Sequence, residues 1–148
     1  MDACVCIDPD SSRPVKLEGK RLLDGGVSDP IPVKWMLSRG YEKNVVVLTR
    51  DVKYRKKANP KMQLFLKAVL HKYPAFLKDL EERHIHYNET LEELASLEKE
   101  GRVHIIRPSS PIQAAMIERD ESNLERIYQT GRADMKKDLE KLKAYLDS

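Results

Sequence analysis

Glycine is scarce here: the 148-residue chain has six, at positions 19, 25, 26, 40, 101 and 131. No two of them bracket a serine at the Gly-x-Ser-x-Gly spacing of a nucleophile elbow, and they form no glycine-rich loop. Cysteine is nearly missing. Cys4 and Cys6 stand one residue apart, which is neither a Cys-x-x-Cys redox pair nor a zinc spacing, and a reduced cytoplasmic setting is the simplest inference. No apolar run approaches the ~20 residues of a membrane span, and the first ten residues lack the flank and core of a secretory signal. The sequon at Asn88-Glu89-Thr90 therefore reads as coincidence. An excess of one charge is missing too. Twenty-seven Lys and Arg against 24 acids leave +3, and the basic residues are not interleaved with aromatics, so no nucleic-acid partner is expected.

What is present is a globular composition, 41% hydrophobic and 34% charged, enough to bury a core and expected as one domain over 1–148. Val15-Lys16-Leu17 and Arg21-Leu22-Leu23 flank Glu18-Gly19-Lys20, a short hairpin with Gly19 in its turn. Asp29-Pro30 signals a helix start, with Gly40 as its stop. Asn44 to Thr49 holds Val-Val-Val-Leu and reads as a buried parallel strand, so hairpin strand, helix and this strand form a βαβ pattern. Pro60 and Pro74 each open a helix, the second running to His86. Thr90 and Glu93 make a capping box for a new helix that Gly101 ends. Residues 102–107 form a further strand, and the C-terminus is helical from about residue 110. There Met135, Leu139, Leu142 and Leu146 make one apolar stripe. The predicted class is α/β: a layered parallel sheet flanked by helices.

Asp24, just past a strand and followed by Gly25 and Gly26, is the candidate for chemistry. Strand ends are where α/β proteins build sites, and the two glycines leave one side of the carboxylate open. Such an Asp can accept a proton from a neighbouring hydroxyl. Taken alone, Asp-Gly-Gly is also a common turn, and Asp29 a common helix cap.

The stretch Asp24 to Val33 resembles the catalytic-aspartate block of bacterial patatin-like phospholipases. The resemblance continues through Gly40-Tyr41, Val45 to Arg50, Tyr54 to Lys57, Tyr87 to Leu91, Leu97 to Gly101 and Ile106 to Pro108, covering nearly all of residues 13–146. It implies an α/β acyl-hydrolase fold without cofactor, a lipid or ester substrate, and a Ser-Asp dyad in which Asp24 is the proton acceptor. The chain departs from the family in lacking the serine elbow and the oxyanion glycines. Ser28 has no elbow and reads as a turn residue. The segment before Arg13 also fits poorly. The expectation is therefore the C-terminal, aspartate-bearing half of such an enzyme, a truncated product or a mis-started frame, inactive alone. An open apolar edge at residues 45–49 would then favour self-association or pairing with the other half.

Arg50, Lys53, Arg55, Lys56 and Lys57 crowd into eight residues with Asp51 the lone acid, ahead of a helix bearing Met62, Phe65, Leu66, Val69 and Leu70. This is either a solvated loop beside a core helix or a contact for an anionic membrane surface. The second option supplies the alternative function: a non-catalytic peripheral membrane or partner-binding module, at the inner face of the membrane. His84 and His86, two apart on a helix, point to different faces and cannot share a metal ion. His104 is expected on a sheet face, and His71 near a helix C-terminus.

Overall fold

The computed structural model describes residues 15–22, 25–26, 28–71, 73–115 and 118–148, with the backbone alone at positions 20, 21, 62, 65, 69 and 70. The elements are β1 (Val15–Leu17), β2 (Lys20–Leu22), α1 (Val33–Ser38), β3 (Asn44–Val47), α2 (Pro60–Leu70), α3 (Pro74–Lys99), β4 (Val103–Ile106) and α4 (Glu121–Asp147). The class is mixed α/β, with β1–β2 antiparallel and β3–β4 a two-stranded parallel sheet. The chain divides into two compact units. One takes the described residues up to Pro32 with Lys56–Leu91, the other Val33–Arg55 with Glu92–Ser148.

In the first unit, β1 and β2 pair with Leu17 opposite Lys20. Glu18 and Gly19 fill the turn at φ of 49° and 78°, the paired positive values of a type I′ hairpin. Pro60 and Pro74 open α2 and α3, at positions where a backbone N–H has no helical partner. The helix break expected at residues 86–90 does not occur. Helix α3 is one run of 26 residues. Thr90 does not cap a new helix; its hydroxyl donates to His86 O at 2.9 Å. Neither glycine nor proline interrupts residues 75–100, so the i→i−4 bonds continue and outcompete the cap.

The helix start expected at Asp29 is also corrected. Asp29 N–H donates to Gly25 O at 2.8 Å, closing a turn, and α1 begins only at Val33. Asp29 and Ile31 each precede a proline, and a residue before proline is forced from the helical region.

In the second unit, β3 pairs not with β2 but with β4, from Asn44 opposite Val103 to Val47 opposite Ile106. The expected βαβ unit is thus replaced by a parallel pair joined through residues 48–102. Its entry is prepared by the C-terminus of α3. Arg102 N–H donates to Leu97 O and Gly101 N–H to Glu98 O, a Schellman closure that requires Gly101 at φ 73°. Gly40 closes α1 the same way. Along β4, Val103 and Ile105 are 2% and 7% exposed, and with Val33, Leu48, Leu94 and Leu97 they are the buried apolar residues of this unit. His104 and Ile106 face the opposite side, toward α4. Strand β3 is not buried as expected: Val45 and Val47 are 41% and 69% exposed. They share the α4 side of the sheet with His104 and Ile106, but α4 lies against β4.

Helix α4 begins at Glu121 rather than near residue 110, because Asp120 is its cap. That carboxylate accepts from Ser122 N–H at 3.0 Å and Ser122 Oγ at 2.7 Å. These donors, the hydroxyl first, hold the Asp120 carboxyl below the ordinary range. The expected apolar stripe forms, with Met135 and Leu142 half-buried and Leu139 and Leu146 exposed.

Candidate functional site

Asp24 lies outside the described residues; Gly25 and Gly26 form the turn beside it. Gly25 O accepts the Asp29 N–H, and Ser28 Oγ approaches it at 3.4 Å. Gly26 O accepts from Arg83 Nε of α3 at 2.8 Å. A charged donor binds a carbonyl more strongly than a neutral one does, so the turn at Gly25–Gly26 is pinned to α3. Arg83 escaped the sequence reading, since one arginine among the many charges of α3 carries no periodic mark. Ser28 is exposed and bonded only locally, as a turn residue is.

The basic segment falls in two parts. In the second unit, Asp51 accepts the Lys53 N–H at 2.8 Å, tying the lone acid to the backbone. The Arg50 guanidinium lies 5.1 Å from the Tyr54 ring. Arg55 turns back to donate to Val52 O and Tyr54 O at 3.1 and 2.8 Å. Arg50, Lys53 and Arg55 are exposed, as is Val52 among them. In the first unit, Lys57 is exposed, but Lys56 is structural. Its N–H donates to Asn88 Oδ1 at 2.9 Å and its carbonyl accepts from Asn88 Nδ2 at 3.0 Å, while its ammonium sits 5.6 Å from the Tyr87 ring. The amide of the sequon asparagine is thus consumed as a backbone clamp.

A third constellation, in the second unit, was legible only in part. The His104 imidazole donates through Nε2 to Asp138 Oδ2 at 2.5 Å and stacks on Tyr145 with centroids 5.5 Å apart. Tyr145 Oη accepts from Asn44 N–H at 2.8 Å and donates to Arg102 O at 2.9 Å. One phenol thereby clasps the starts of both parallel strands to the end of α4. Earlier on α4, Asp134 Oδ2 accepts the Ser109 N–H at 2.9 Å. That bond, then the Ser109 hydroxyl and the Lys137 charge, hold the Asp134 carboxyl below the usual range.

Beside the Asp134 anchor, on its side toward the start of α4, a cavity of about 340 Å³ opens at the carboxyl ends of β3 and β4, walled by Val47, Leu48, Ile106, Ile112, Ile127 and Met135. A second recess of about 250 Å³ shares Ile106, Arg107 and Asp134 with it and adds Lys137, Asp138 and Lys141. This is the end of a parallel sheet at which open α/β folds bind ligands. Ile127, Thr130, Gly131, Asp134 and Met135 fall at helical spacing, so the wall was present in the sequence pattern. The strand ends that complete it were not.

Among the described residues, no group of three His, Cys, Asp or Glu side chains could hold a metal ion, and no helix is long and apolar enough to cross a membrane. A family profile described as a domain of unknown function (DUF6363) matches residues 73–147. No curated protein and no solved structure matches the chain.

Proposed function

The chain belongs to the DUF6363 family, whose description names no activity, and from the residues themselves we propose that it is the aspartate-bearing half of a patatin-like lipid acyl hydrolase. The observation that carries this reading is the ordered series of blocks that opens with Asp24-Gly25-Gly26 and runs to Pro108. Asp24 is the proton acceptor of a Ser-Asp dyad. As a serine hydroxyl adds to the ester carbonyl, its proton passes to this carboxylate; the same proton then leaves with the alcohol. The bond from Arg83 to Gly26 O supports the reading only in that it fixes the turn that follows Asp24 in the sequence.

The serine and the oxyanion donors belong to residues outside these 148. Each missing oxyanion donor costs about 10²–10³ in rate, and the nucleophile is indispensable, so these residues by themselves turn over no ester. The test uses the short-chain ester p-nitrophenyl butyrate. The 148 residues alone hydrolyse it at the buffer rate. Joined to an elbow-bearing segment encoded upstream they turn it over, and Asp24→Asn lowers that rate by at least about 10²-fold. Turnover of the joined protein that survives Asp24→Asn overturns the proposal.

A further inference from the structure

We infer that the apolar cavity beside α4 receives the alkyl chain of a single-chain fatty carboxylate, whose head group rests on Arg107, Lys137 and Lys141. Three observations converge on this occupant. The first is the wall. It is mostly aliphatic, with Thr49, Thr130, Arg107 and Asp134 as its polar members and no aromatic ring on which a base could stack, and Val47 in it is left largely exposed. Its volume, about 340 Å³, corresponds to on the order of ten methylene-sized groups at ~30 Å³ each.

The second is Gly131. Glycine inside a helix is costly relative to alanine, and it is usually kept for a close neighbour or a positive φ. Neither applies: a Cβ at Gly131 would meet nothing within 4 Å, and its φ is not among the positive ones. Nothing in the described chain requires the missing side chain. The missing side chain leaves the slot open where Gly131 joins its wall.

The third is charge. The adjoining recess holds three cations and two carboxylates, yet both carboxylates are engaged, Asp134 with the Ser109 N–H and Asp138 with His104. Arg107, Lys137 and Lys141 form no close ion pair among the described residues, Lys137 acting on Asp134 through its field alone, and three cations against two carboxylates leave the recess net positive. An apolar slot opening on a cationic shelf fits an anionic amphiphile and disfavours a neutral or cationic one.

The experiment is calorimetric titration of the full chain with dodecanoate below its micelle concentration. Saturable binding to one site is expected, with dodecanol and dodecyltrimethylammonium each at least about tenfold weaker. Gly131→Leu fills the slot and lowers dodecanoate affinity at least about tenfold without lowering Tm. The exposed pair Lys137→Glu and Lys141→Glu, which keeps the slot and serves should Gly131→Leu fail to fold, lowers it by a similar factor and reverses the sign of its salt dependence. Absence of saturation, equal affinity for the three amphiphiles, or unchanged binding by both sets of variants overturns the inference. It does not rest on the acyl-hydrolase reading: Asp24→Asn leaves dodecanoate binding unchanged, so the two proposals fail separately.

Discussion

Strands β3 and β4 are near twins. Each is four residues long, each is mostly Val or Ile, and they pair residue for residue. Their fates differ. Alternate residues of β4 are sealed, at 2% and 7% exposure for Val103 and Ile105, whereas Val45 and Val47 of β3 stand at 41% and 69%. The difference lies in what covers them. Val103 and Ile105 lie on the sheet face turned away from α4, the packed side, whereas Val45 and Val47 lie on the α4 side, where the helix leans on β4 through His104 and Tyr145 and leaves β3 uncovered. An apolar strand is an offer of burial; a second element must take it up.

The comparison can be broken most forcefully at its buried side. Ile105→Ala should cost about 2–5 kcal/mol, the range for emptying a packed core site. Val47→Ala should change stability by no more than about 0.5 kcal/mol, as exposed substitutions do. Paired denaturant unfolding curves decide, and equal losses would abolish the contrast. Next comes the clasp. Tyr145→Phe removes the phenol oxygen that meets Asn44 and Arg102 and should cost about 1–2 kcal/mol, with faster amide exchange at Asn44. An unchanged exchange rate there would mean that the clasp does not hold the strands.

The smallest effect is an acid one. The Asp134 carboxyl is held low by the Ser109 N–H, so its contribution is complete above the unfolded-chain value near ~4. It is lost as pH falls through the lower folded value. Asp134→Asn should therefore narrow its stability gap from the parent as pH drops from 5 toward 2. A gap that widens in acid reverses the sign and refutes the assignment.

Local signals were legible in the sequence. The Glu18–Gly19 turn, the prolines that open α2 and α3, the glycines that close α1 and α3, and the stripe of α4 each rest on neighbours within a few residues. Partnerships between distant positions were not legible. Pairing of β3 with β4, the Asn88 clamp on Lys56, the Arg83 bond to Gly26 and the His104–Asp138 contact join residues between 32 and 59 positions apart. No periodicity announces such pairs. Two errors were competitions misjudged locally: prolines delayed α1, and an uninterrupted helix overrode the cap at Thr90. Of the candidate site, the turn at Gly25–Gly26 was readable. The cavity was not, because its far wall comes from strand ends.

The parallel pairing of β3 and β4 also sets a timetable. During synthesis, Val45 to Val47 emerge long before Val103 to Ile106 exist, and at ~5–20 residues per second the delay lasts several seconds. Throughout that interval the nascent valine run has no native partner. A ribosome-associated chaperone would find its clearest target there, and slowing translation between the two strands should prolong the exposure.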